Sequence, residues 1–143
     1  KALEDRPSDM AVTVHMCRGN FKSSWIAEGG YEPVAEDMFA GVPVDAFFME
    51  WESDRAGGFE ALRYAPRDKM VVLGLVSSKI PELENKDDLK HRVDEAAQHF
   101  PIDNLCLSPQ CGFASMAVGN LISEDDQWRK LELCAETAAD IWG

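Results

Sequence analysis

The chain has 143 residues, 45% of them hydrophobic and 28% charged, with a formal net charge of -12 from 26 acidic and 14 basic side chains. That length suits one domain with a real core, and the acid excess argues against nucleic acid or an anionic membrane as partner, since both need a basic surface field. No apolar run is long enough to cross a bilayer and no signal-peptide pattern opens the chain, so a cytoplasmic setting is expected.

Lys1–Arg6 reads as the last turn of a helix, closed by Pro7, so the chain is expected to open mid-fold. Ala11–Cys17 then reads as a strand, with Val12, Val14 and Met16 alternating with Ala11, Thr13, His15 and Cys17. The first set is expected to face helices and the second a barrel interior. Arg18-Gly19-Asn20, Phe21, Trp25 and Gly29-Gly30 follow; the glycines either let backbone approach a ligand or belong to a plain long loop. A helix is expected over Pro33–Phe39, with proline in its first turn, then a strand over Ala46–Trp51. Asp54-Arg55-Ala56-Gly57-Gly58 either lines the mouth of the fold or turns the chain, and a short helix over Phe59–Tyr64 comes next.

Met70–Val76 is nearly all apolar, as suits a strand buried on both faces. The helix expected over Lys86–Phe100 carries Leu89, Val93, Ala96, Ala97 and Phe100 at helical spacing, with Asn85 as N-cap. Leu105–Ser108 reads as a strand. The helix expected over Glu124–Trp142 puts Trp128, Leu131, Cys134, Ala135, Ala138 and Trp142 on one face, and Ser123 with Asp126 resembles a capping box. Strands alternating with helices imply α/β architecture with a parallel sheet and helical crossovers. A (β/α)8 TIM-type barrel needs about 250 residues. Residues 1–143 are therefore read as the C-terminal four βα units, half of such a barrel.

The chemistry concentrates at the strand ends. His15 and Cys17 lie two apart on a strand and so aim at one side. Glu50 ends the second strand after Phe47-Phe48-Met49, where an unpaired carboxylate is costly. Cys111 follows the fourth strand in Ser108-Pro109-Gln110-Cys111-Gly112. Barrel active sites lie at these carboxyl ends. Two thiolates, an imidazole and a carboxylate suit four-coordinate zinc, whereas magnesium and calcium prefer oxygen shells. The competing reading is a hydrogen-bonded histidine, a buried cysteine, and Glu50 paired with Arg18 or Arg55. Three anionic ligands exceed the charge of a zinc ion, which makes the site poor at generating hydroxide and better suited to activating a substrate thiol. The four cysteines include no Cys-x-x-Cys pair, which favours a reducing compartment. Cys106 and Cys134 read as core residues, and His91 and His99 as surface residues. No catalytic residue beyond the metal ligands is assigned.

The segments His15-Met16-Cys17-Arg18-Gly19-Asn20, Gly29-Gly30-Tyr31, Phe47-Phe48-Met49-Glu50, Leu73-Gly74-Leu75-Val76-Ser77-Ser78-Lys79 and Leu107-Ser108-Pro109-Gln110-Cys111-Gly112-Phe113 occur in this order. Together they resemble the C-terminal catalytic domain of cobalamin-independent methionine synthase, most of all its shorter, single-barrel relatives. The resemblance implies zinc-dependent methyl transfer from a methylated folate to the thiol of homocysteine, forming methionine. It also implies zinc on His15, Cys17, Glu50 and Cys111, the four residues already singled out. Ser77 stands where the longer enzymes carry a histidine proposed to help proton transfer. The resemblance further implies that contacts to the homocysteine amino group come largely from the barrel's first half. Relatives also act on other thiols, such as coenzyme M. The alternatives are thus another thiol or methyl donor, or a zinc-binding segment without catalysis. The isolated chain is expected to be inactive, and to need the missing N-terminal half barrel or self-association to cover its open side.

Overall fold

In the computed structural model, residues 3–114 and 117–143 are described. Four strands, β1 (Thr13–Met16), β4 (Ala46–Glu50), β5 (Met70–Val76) and β6 (Leu105–Pro109), form one parallel sheet in the order β1-β4-β5-β6. A hairpin of β2 (Asn20–Phe21) and β3 (Ser24–Trp25) follows β1. The helices are α1 (Ala35–Gly41) before β4, α2 (Lys86–Ala97) before β6 and α3 (Glu124–Trp142) after it, while a 3-10 segment over Glu60–Tyr64 links β4 to β5.

Register decides which residues meet. Val14, Phe47, Val71 and Leu105 lie opposite one another across the sheet, and so do Met16, Met49, Leu73 and Leu107. These rows join the core with Phe39, Leu62, Leu89, Val93 and Phe100 from the helical layer. The intervening row is His15, Phe48, Val72 and Cys106, on the opposite face. There His15 is exposed, Phe48 is 36% exposed and Cys106 is half-buried. The expected alternation in the first strand holds: Val12, Val14 and Met16 pack on the core while Thr13, His15 and Cys17 are exposed.

Several expectations need correction. Residues 3–5 form a turn, not a helix end, and Lys1 and Ala2 lie outside the described residues. The helix expected over Pro33–Phe39 splits into a 3-10 turn, Glu32–Val34, and α1, with the proline in the 3-10 turn. The helix expected over Phe59–Tyr64 is entirely 3-10, being a five-residue segment closed by the Ala65 N–H bonding back to Leu62 O before Pro66. α2 stops at Ala97, because the N–H groups of His99 and Phe100 fold back onto the Ala96 carbonyl ahead of Pro101.

α3 has the expected bounds but not the expected buried face. Lys130, Cys134 and Thr137 are buried, while Trp128 is 63% exposed and Leu131 40% exposed. A buried charge turns the helix: Lys130 Nζ donates to Glu82 O at 2.6 Å and meets the Glu84 carboxylate at 3.0 Å. Both predicted N-caps form, Asn85 accepting from the N–H groups of Asp87 and Asp88, and Ser123 from that of Asp126. The β2–β3 hairpin was not expected. It turns through Lys22 and Ser23 at φ 48° and 68°, without the Asn-Gly or Asp-Gly pair that marks such turns, and Asn20 Oδ1 accepts the Ser23 N–H. The Trp25 side chain lies outside the described residues.

Candidate metal centre

The carboxyl ends of β1, β4 and β6 bring His15, Cys17, Glu50 and Cys111 together, one donor atom of each lying within 4.8 Å of the others. His15 is the penultimate residue of β1, Cys17 follows its end, and Glu50 closes β4. Cys111 lies just past β6, where β5 and β6 shift register between Gly74 and Val76 and the Gln110 N–H bonds to Val76 O at 2.9 Å. Gly74 permits this crossing. A Cβ there would sit 2.8 Å from the Met49 carbonyl oxygen and 3.6 Å from the Cα atoms of Glu50 and Gln110.

Glu50 is the hub and is only 2% exposed. Its Oε1 takes the Cys111 thiol at 2.6 Å and the Cys111 N–H at 3.2 Å, and lies 3.6 Å from His15 Nε2. The two arginines considered as its ion-pair partners do otherwise. Arg18 Nη1 donates to the Glu50 backbone carbonyl at 3.0 Å, and Arg55 pairs with Glu28. Burial, then the Glu50 carboxylate and Cys17, push the Cys111 thiol well above its ordinary range, with Lys79 opposing.

The chemistry of this donor set tests whether a metal fits. Zinc bonds of about 2.0–2.3 Å to nitrogen and sulfur imply donor separations of roughly 3.3–3.8 Å in a tetrahedron. Glu50 Oε1 and Cys111 Sγ, at 2.6 Å, stand closer than that spacing and would move apart around an ion. His15 Nε2 already lies 3.6 Å from Glu50 Oε1, and all four donors fall within 4.8 Å of one another. A divalent cation would neutralise a buried carboxylate and stabilise the Cys111 thiolate. A cavity of about 360 Å³ opens beside them, lined in part by Phe48, Pro109, Phe113 and Leu131.

The other candidates separate from this group. Cys106 lies on the open face in the same row as His15 but on β6, with β4 and β5 between them, and burial raises its thiol. Cys134 is packed in α3 with its thiol pushed up to about 12 by burial. His91 is exposed beside Glu95, and His99 is half-buried. Gly30 approaches protein backbone, since a Cβ there would lie 3.2 Å from Ala56 O, whereas a Cβ on Gly29 would meet nothing within 4 Å. The 54–58 segment turns through a short 3-10 helix, Asp54–Ala56, and the Gly29 N–H bonds to Arg55 O.

Composition and spacing did not single out Tyr31 or Gly74. The Tyr31 hydroxyl donates to Met16 O at 2.8 Å and accepts the Glu50 N–H at 2.9 Å. The Arg18 guanidinium lies 4.4 Å from the Tyr31 ring centroid. Burial raises the Tyr31 pKa, which keeps its proton in place. The sequence signal for Tyr31 was its place in Gly29-Gly30-Tyr31, one of the segments that carry the family resemblance, with no role attached to it.

Fold and site together define a parallel α/β domain with a candidate metal-ligand quartet at the carboxyl end of its sheet. The chain belongs to the family of the cobalamin-independent synthase catalytic domain, whose model matches residues 6–125. It is 54% identical to the uncharacterized protein YxjG and 51% identical to the uncharacterized protein YxjH, both of Bacillus subtilis (strain 168), over 142 residues, or 99% of the chain. It spans 38% of the length of each. Among solved structures it resembles a putative vitamin-B12 independent methionine synthase from Listeria monocytogenes, with a TM-score of 0.75 and 36% identity over 99% of this chain and 38% of that one. A B12-independent methionine synthase from Shewanella sp. W3-18-1, in complex with selenomethionine, matches with a TM-score of 0.76 over 98% of this chain and 40% of that one, and at 19% identity it bears on the fold alone.

Proposed function

We propose that this chain is the metal-bearing C-terminal half of a TIM-type barrel that methylates a thiol, with homocysteine as acceptor and a methylated folate as donor. The observation that carries the reading is the convergence of His15, Cys17, Glu50 and Cys111 on one point in a member of this family. The open sheet face supports the half-barrel reading, because Phe48, His15 and Cys106 lie where a closed barrel would bury them. Residues 1–143 then form one structural unit whose remaining wall comes from the rest of the protein.

Zinc held by His15, Cys17, Glu50 and Cys111 would supply a positive centre that favours the substrate thiolate, the nucleophile for the donor methyl group. The protein's own contribution is placement. Phe48, Pro109, Phe113 and Leu131 wall the adjoining cavity and exclude water from one side of the reacting thiol. Ser77 is 5% exposed; its N–H is held by Glu84 at 2.7 Å and its hydroxyl accepts the Lys79 N–H, so it keeps a proton to donate but does not titrate near neutrality. A cytoplasmic setting would keep both ligand thiols reduced.

Metal analysis of the intact protein after dialysis tests the site, with near-stoichiometric zinc expected in the wild type and in Cys134→Ser. Cys17→Ser and Cys111→Ser should each lose it, and full retention in both would refute the assignment. Methionine formation from homocysteine and methylated folate tests the reaction. Turnover with coenzyme M instead would reassign the thiol, and zinc without turnover on either would mark a non-catalytic site.

A further inference from the structure

We propose that Tyr31 is a positioning residue of the metal centre: its hydroxyl, wedged between the ends of β1 and β4, sets the distance between the His15–Cys17 pair and Glu50. The inference rests on the metal reading above and adds a residue that touches no metal.

The wedge follows from the register. The last paired residues of β1 and β4 are Met16 and Met49. In a parallel ladder the next bond would run from the Glu50 N–H to the Met16 carbonyl. Those two groups instead share the Tyr31 hydroxyl, at 2.9 and 2.8 Å. One oxygen atom therefore replaces a direct bond at the point where three ligands leave the sheet. Met16 lies between His15 and Cys17, so its carbonyl anchors both, while the second bond anchors Glu50 by its own amide. Closing the seam to a direct bond of about 2.9 Å would bring the strand ends together and shrink the gap between the ligands.

Tyr31 is itself fixed. It is 7% exposed and its ring meets Trp51 edge-on, with centroids 5.0 Å apart. Arg18 covers the ring while bonding Glu50 O and Gly29 O. The hydroxyl is thus held on the seam by packing, as outer-shell groups that orient ligands need to be. An ordinary core tyrosine would need one partner for its hydroxyl. This one bridges two strands at the ligands.

The test compares the intact wild-type protein with its Tyr31→Phe and Asn104→Ala variants, reading zinc affinity by competition with a chelator and amide exchange in the metal-free protein. Tyr31→Phe keeps the ring and removes only the bridge. Asn104→Ala is the control, because its Nδ2 clips Arg67 O and Lys69 O at 2.7 and 3.2 Å at the opposite end of the sheet. The expected result is roughly 10- to 100-fold weaker zinc binding in Tyr31→Phe, unchanged binding in Asn104→Ala, and faster exchange of the Glu50 amide in Tyr31→Phe alone. Zinc affinity within about threefold of wild type in Tyr31→Phe, or an equal loss in Asn104→Ala, overturns the positioning role. Failure of the wild type itself to take up zinc overturns the metal reading and this role with it, and the wild-type measurement distinguishes that failure from loss in the variant alone.

Discussion

Replacing Lys130 with methionine should be among the most damaging single changes outside the metal ligands. Lys130 is 0% exposed, and its ammonium bonds Glu82 O and both oxygens of Glu84. Methionine keeps most of the apolar stem but leaves the Glu84 carboxylate without its cation. Breaking a buried pair from one side costs about 3–5 kcal/mol. The Glu84 side chain is 21% exposed, so water recovers part of that loss, and about 3 kcal/mol is the reasoned figure. For a full barrel of about 250 residues, about 3 kcal/mol lowers Tm by roughly 6 °C. The damage should reach the site, since Glu84 also accepts the Ser77 N–H. Thermal unfolding of the intact protein should show the Lys130→Met loss, and the double variant Glu84→Gln with Lys130→Met should recover much of it, because no unpaired charge remains. A Tm within about 2 °C of wild type for Lys130→Met, or a double variant as unstable as the sum of the singles, would refute the buried pair as an organising contact.

Burial and the Glu50 carboxylate hold the Cys111 thiol above its usual range, so the metal-free site carries that proton at neutral pH and zinc uptake must expel it. Zinc affinity should therefore rise at least about tenfold per unit between roughly pH 6 and 8, and a flat profile in a competition titration would show that Cys111 is not a ligand. The 143-residue chain expressed alone should self-associate through its uncovered sheet face and strand edges, and should lack methyl transfer. A monomer by light scattering with the activity of the intact protein would refute the half-barrel reading.

Residue order alone determined the alternation of strands and helices, the parallel sheet, both N-caps and the four metal-ligand candidates. These are legible because period, capping and ligand type are local properties, and because side chains two apart on a strand share a side. The buried face of α3 was not legible, since Trp128 and Leu131 look like core while the carboxylate that pairs with buried Lys130 lies 46 residues away. Nor was the hairpin after β1, whose turn residues Lys22 and Ser23 adopt positive φ without a glycine. Gly74 and Tyr31 carry no periodic signal at all. Their meaning arises only when registry sets Gly74 beside Glu50 and leaves a gap of one oxygen atom between Met16 and Glu50. Sequence names the donor atoms because donor chemistry belongs to each residue. Tertiary structure decides how far apart they stand, because that distance is a sum over strand register, one glycine crossing and one tyrosine hydroxyl.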